Sequence, residues 1–167
     1  VGSAIIRYLK KQNYGNKSQG GEILAPTSKE LNLVDDQSVK SWFKVNQPTV
    51  VILAAGKVGG ILDNSSRPTE FILNNLKIQT NVIEASWLSG VKRLLFLGSS
   101  CIYPRNCHQP ISEKYLLSSP LESTNEYYAI AKIAGVKLCE SLRKQHQFDC
   151  ICLMPTNLYG PGDNYHP

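Results

Sequence analysis

Apolar positions along the chain change period repeatedly, and each change marks an element. From Ala4 to about Gln12, Ile5, Ile6 and Leu9 recur at helical spacing among polar residues, which predicts a helix with Gly2 at its start. A glycine-rich turn over residues 15–21 leads into Glu22 to Ala25, predicted as a short strand. Asp35 or Asp36 is the candidate cap of a second helix, which carries Val39, Trp42 and Phe43 and ends before Pro48. Thr49 to Ala54 is an unbroken aliphatic and β-branched run, the pattern of a strand buried on both faces.

Beyond the loop Ala55-Gly56-Lys57-Val58-Gly59-Gly60, Pro68 suits the first turn of a long helix. One side of that helix carries Phe71, Ile72, Leu76, Gln79, Val82 and Ile83, and Gly90 closes it. Arg93 to Leu97 reads as another buried strand, running into Gly98-Ser99-Ser100-Cys101. A loop punctuated by Pro104, Pro110 and Pro120 reaches a helix holding Tyr128 and Lys132, which Ala129, Ala131, Ala134 and Gly135 keep narrow enough for close packing. Phe148 to Met154 is the last strand, ending in Pro155-Thr156-Asn157-Leu158-Tyr159-Gly160. Strands alternating with helices define an α/β chain with a mainly parallel sheet. Such sheets bind ligands outside the carboxyl ends of their strands. The loops after Ala54, Leu97 and Met154 lie at such ends, so they should converge with the Tyr128 helix on one cleft.

Length and composition narrow the class. The chain has 167 residues, enough for one domain's core, with 42% hydrophobic and 19% charged residues, the balance of a globular protein. No apolar run approaches the ~20 residues of a membrane span. The net charge of +5 is scattered, which favours a solvated basic surface over a nucleic-acid interface and also suits an anionic nucleotide. Five cysteines (Cys101, Cys107, Cys139, Cys150 and Cys152) form neither a C-x-x-C pair nor zinc spacing, so free thiols in a reducing compartment are expected and no metal site. Cys150 and Cys152 alternate in a strand and read as core packing.

Tyr128 and Lys132 lie four residues apart, on one helix face about one turn apart. A cation beside a phenol favours the phenolate, so Lys132 is expected to lower the pKa of Tyr128 and make it a usable acid–base near neutral pH.

Tyr128 and Lys132, with Ser99 after the preceding strand and Asn157-Leu158-Tyr159-Gly160-Pro161 after the next, resemble the extended short-chain dehydrogenases. Residues 55–60, Leu95 to Pro104 and Met154 to Gly160 are similar, within that superfamily, to the GDP-L-fucose synthases. The resemblance runs through the whole chain. It implies a Rossmann-like doubly wound sheet and a bifunctional enzyme, a 3,5-epimerase and NADPH-dependent 4-reductase of GDP-4-keto-6-deoxy-mannose. It also implies a homodimer made by pairing the helix after Pro68 with the Tyr128 helix, and a cytoplasmic location. By the same resemblance Tyr128 protonates the C4 oxygen, Lys132 holds the nicotinamide ribose, and Ser99 hydrogen-bonds the keto oxygen. Cys101 supplies acid–base chemistry at C3 and C5, which a plain reductase would not need. Cofactor contacts would come from Gly2, Leu97, Gly98, Ser99, Ser100, Lys132, Pro155, Thr156, Asn157 and Leu158. Where family members carry an arginine after the second strand, Lys29 is the nearby cation.

Relative to the family, Gly2 is the last glycine of G-x-x-G-x-x-G; the earlier glycines and the first strand precede it. Residues 1–167 are therefore expected to be a partial NAD(P)-binding domain, without the substrate domain. The family's epimerase histidine falls just past Asp163-Asn164-Tyr165-His166-Pro167, and His166 is not its counterpart. Two other readings share part of this pattern: another nucleotide-sugar epimerase or dehydratase on the same scaffold, and a non-catalytic dinucleotide-binding module.

Overall fold

The computed structural model describes residues 1–162; Asp163 to Pro167, where the expected D-N-Y-H-P stretch falls, lie outside the described residues. The elements run α1 (Gly2–Lys11), α2 (Asp36–Asn46), β1 (Val50–Leu53), α3 (Ile61–Ser66), α4 (Pro68–Leu88), β2 (Arg93–Leu97), α5 (Glu126–His146) and β3 (Cys150–Leu153). Their ends follow local chemistry. Asp35 caps α2, its carboxylate accepting from the Gln37 amide at 3.1 Å. Pro68 opens α4 at its first turn, where no N–H is needed, and Gly90 turns the chain after it at φ +71°. Arg143 and Lys144 place positive charge in the last turn of α5, against the negative end of its dipole.

The three strands are parallel, in the order β1-β2-β3, with Leu53 opposite Phe96 and Phe96 opposite Cys152. Each parallel pair needs a crossover. α4 and α5 provide them, and both helices pack on one face of the sheet and on each other. That face holds the core: Leu53, Leu94, Phe96 and Cys150 from the strands, Val82 and Ile83 from α4, and Ile133, Val136 and Cys139 from α5. Burying a side chain of this size contributes about 1.5–3 kcal/mol. Gly135 permits the approach: a Cβ there would lie 2.6 Å from the Phe96 ring and 2.9 Å from Gln79 Cδ. Across the same seam Gln79 Nε2 donates to the Ala131 carbonyl.

Two expectations about the fold need correction. β1 is not buried on both faces: Val50 and Ile52 are exposed, as are Ile151 and Leu153 on β3, because α4 and α5 cover only the opposite face and α1 buries none of its residues. Glu22 to Ala25 forms no strand; a strand needs a neighbour for its N–H and C=O groups, and none pairs with it among the described residues. Between the glycine-rich loop of residues 55–60 and Pro68, where no element was expected, Ile61–Ser66 forms a short helix. The packing role of Cys139, Cys150 and Cys152 agrees with their place between α5 and β3.

Candidate active site

The carboxyl ends of the three strands open into a cleft of about 540 Å³. Its central wall begins where β2 ends. The Gly98 amide donates to Leu153 O at 2.8 Å and the Ser100 amide to Pro155 O at 3.1 Å, which ties the loop after β2 to the loop after β3. Gly98 is required here, since a Cβ would lie 2.6 Å from Met154 Sδ and 3.1 Å from Leu153 O. Ser99 caps the 3-10 turn Ser100–Ile102, its Oγ accepting from the Cys101 amide at 3.2 Å. That turn carries Cys101 to the start of α5, where Asn125 Nδ2 donates to its Sγ at 3.3 Å.

α5 contributes the pair. Lys132 is only 6% exposed, and its ammonium donates to Leu97 O at 2.9 Å. It also lies 5.0 Å from the Phe96 ring centre and 5.8 Å from that of Tyr128. Burial lowers its pKa to about 8. Tyr128 departs from expectation. Its pKa is raised, first by burial and then by the charge on Cys101, while a hydrogen bond from Ser99 works the other way. Lys132 does not reverse this because, with a pKa of about 8, it has already lost its charge in the range where a raised phenol titrates. The phenol is thus held protonated at neutral pH, as a donor.

Two asparagines shape the wall beneath β1. Asn75, 2% exposed on α4, accepts from the Lys57 amide at 3.0 Å and donates to the Lys57 carbonyl at 2.9 Å, completing that residue's backbone bonding as a neighbouring strand would. Gly56 lies so near that a Cβ would stand 2.9 Å from Asn75 Oδ1. Asn64 of α3 donates to the Gly59 and Gly60 carbonyls at 2.9 and 3.0 Å. Its Oδ1 is buried without a partner among the described residues.

Of the residues expected in the site, Leu97, Gly98, Ser99, Cys101, Tyr128, Lys132 and Pro155 to Leu158 all line this cleft. Gly2 opens α1 beside it, its Cα position facing Ala54. Ser100 does not line it; its amide forms the link to Pro155. Asn64, Asn75 and Asn125 were missed. Asn75 was open to detection, since Phe71, Asn75 and Gln79 recur every four residues along the buried side of α4.

The cleft fits a dinucleotide: it lies at the carboxyl ends of parallel strands, a buried lysine faces it, and a buried amide oxygen of Asn64 has no partner among the described residues. A parallel α/β sheet with this cleft and a Tyr-x-x-x-Lys pair defines a Rossmann-like nucleotide-binding protein equipped for acid–base chemistry. The chain belongs to the NAD dependent epimerase/dehydratase family, whose model matches residues 1–167. It is 55% identical over 167 residues to the putative GDP-L-fucose synthase 2 of Arabidopsis thaliana, covering all of this chain and 49% of that protein. It is 50% identical over 167 residues to the GDP-L-fucose synthase of Escherichia coli (strain K12), covering all of this chain and 50% of that protein. Among solved structures it matches a GDP-L-fucose synthetase from Naegleria fowleri bound to NADP, with TM-score 0.83 and 30% identity, over 98% of this chain and 52% of that one. The chain spans about half the length of the curated relatives it matches.

Proposed function

We propose that the whole protein is a GDP-L-fucose synthase, a 3,5-epimerase and NADPH-dependent 4-reductase that converts GDP-4-keto-6-deoxy-D-mannose to GDP-L-fucose. One observation carries this reading: Ser99, Cys101, Tyr128 and Lys132 line a single cleft, which puts a thiol in the same site as the tyrosine. A 4-reductase needs the tyrosine, lysine and serine; the thiol fits proton traffic at carbons alpha to a ketone, which a reductase alone does not need. The names of the relatives, GDP-L-fucose synthases, support the same product.

Residues 1–167 then form part of the NAD(P)-binding domain. Lys132 holds the nicotinamide ribose, with Gly2, Leu97 to Ser99 and Pro155 to Leu158 along the rest of the dinucleotide, and Lys29 is the cation nearest the second-strand region. Bound in this cleft, the reduced nicotinamide supplies the hydride for C4. Tyr128, protonated, gives its phenol proton to the C4 oxygen, and the Ser99 hydroxyl donates a hydrogen bond to the same oxygen, where negative charge builds. Cys101 exchanges protons with C3 and C5 while the C4 carbonyl holds the electron pair of each broken C–H bond.

Three further readings belong to the same proposal. A homodimer is supported by Leu73, Tyr127 and Ile130, exposed apolar side chains on α4 and α5. Free cysteines accord with a reducing cytoplasm. No helix among the described residues is long and apolar enough to cross a membrane. The test is the full-length protein with NADPH and GDP-4-keto-6-deoxy-mannose, followed by the nicotinamide absorbance and by chromatography of GDP-fucose. Absence of NADPH consumption at micromolar enzyme refutes the reading.

A further inference from the structure

Asn125 occupies the N-cap position of α5, three residues before Tyr128. An asparagine there ordinarily turns its side-chain oxygen onto an amide of the first turn, a contact worth about 1 kcal/mol. Asn125 makes no such bond. Among the described residues its side chain makes one hydrogen bond, from Nδ2 to Cys101 Sγ at 3.3 Å across 24 residues of sequence, and its Oδ1 is buried without a partner. The amide has left its usual local role for the sulfur. From the other side Cys101 is fixed through its backbone, its amide donating to Ser99 Oγ at 3.2 Å.

We propose that Asn125 is a positioning residue for the acid–base thiol: it aims Cys101 Sγ into the cleft and stabilises its thiolate by donating a hydrogen bond. This rests on the reading of Cys101 as the residue that moves protons at C3 and C5. When Cys101 acts as base, the sulfur lone pair takes the proton, an S–H bond forms, and the C–H electron pair passes into the enolate and onto the C4 oxygen. When it acts as acid, the S–H bond breaks and the enolate carbon takes the proton. Thiolate is present at one end of either step, and a neutral N–H donor stabilises it without supplying a competing proton. A lysine or histidine in that position would add a proton of its own near the substrate. The titratable side chains that share the cleft wall with Cys101 are Tyr128 and Lys132, both from α5; the loops after β1 and β3 bring none among the described residues. Asn125 is thus the uncharged group that acts on the sulfur.

Two variants of the full-length enzyme separate chemistry from folding. Asn125→Ala removes the donor. Asn125→Asp keeps size and shape and is a better cap for α5, yet it accepts only and sets a negative charge beside the sulfur. Iodoacetamide alkylation, read at the Cys101 peptide by mass spectrometry across pH, reports thiolate without needing activity. Both variants are expected to slow alkylation near neutral pH by about tenfold or more, Asn125→Asp the more, with the profile displaced to higher pH. Solvent deuterium entry at C3 and C5 should fall in parallel, while the urea midpoint of Asn125→Asp holds or rises. Alkylation profiles of both variants that superimpose on the parent's overturn the inference. So does undiminished exchange in Asn125→Ala where Cys101→Ser abolishes it. If Cys101→Ser itself leaves exchange intact, the reading of the thiol as acid–base has failed, and Asn125's part in the reaction falls with it.

Discussion

Replacing Lys132 with methionine should cost the fold little and the function almost everything. At 6% exposure the ammonium has lost most of its water, and its pKa of about 8 measures the result against the ordinary value of 10.5. At 1.36 kcal/mol per pKa unit, the charged form is disfavoured in the folded protein by about 3 kcal/mol. Methionine removes that penalty and fills nearly the same volume. It also removes the charge-assisted bond to Leu97 O and the contact with the Phe96 ring, together worth roughly 2–4 kcal/mol. The opposing quantities are of equal size, so the urea-derived stability at neutral pH should change by no more than about 1–2 kcal/mol. NADPH-dependent reduction should nevertheless be lost, because the side chain facing the cofactor cleft is gone.

The pH dependence makes the argument sharper. Between about pH 8 and 10.5 the unfolded chain still binds the Lys132 proton while the folded chain releases it. Stability therefore rises with pH through this window on account of Lys132, and the penalty is present in full below it. Lys132→Met has no such rise. Groups common to both proteins cancel in the difference, so the parent should gain on the variant by up to about 3 kcal/mol across the window. The assay is urea unfolding of the full-length apoenzyme and the variant at half-unit steps. Parallel stability curves would refute the claim that this ammonium is desolvated. A loss of several kcal/mol at neutral pH would show that its contacts outweigh its burial.

Gly135→Ala should destabilise by about 1–3 kcal/mol, read from the urea midpoint, because its methyl would press into Phe96 with little room to relax. Asn75→Leu leaves the backbone N–H and C=O of Lys57 without their partner; a cost of about 1–3 kcal/mol is expected, with the KM for NADPH rising more than kcat falls. Tyr128→Phe should lower reduction by roughly 10²–10⁴-fold. Deuterium exchange at C3 and C5 should continue in that variant, as mass spectrometry of the recovered nucleotide sugar would reveal.

Hydrophobic period carried the long elements well. The β2 strand spans the residues predicted, and α4 starts at the proline expected to start it. The limits were physical. An aliphatic run such as Thr49 to Ala54 declares a strand but not how many of its faces are covered, since that depends on where distant helices pack. α3 has six residues, less than two turns, so no apolar period could develop before it ended. Glu22 to Ala25 carries strand-like residues, but a strand is a property of a pair, and pairing is not written in one segment.

The site shows the same division at finer scale. Spacing established that Tyr128 and Lys132 share a helix face, yet the direction of the tyrosine's pKa turned on depth, which raises the phenol and lowers the lysine so that the two are not charged together. Sequence favoured a phenolate; the folded environment holds a phenol, and a phenol is what a reduction at a ketone requires of its proton donor. Asn125 and Asn75 make the complementary case. Each reads locally as a cap or as a polar interruption in an apolar helix, and each sends its side chain to a partner far along the chain. A buried amide seldom stays buried without a partner. An asparagine found where the helical period requires a core residue, as at position 75, or at a cap it does not serve, as at position 125, therefore already indicates that a loop or a reactive group lies within its reach.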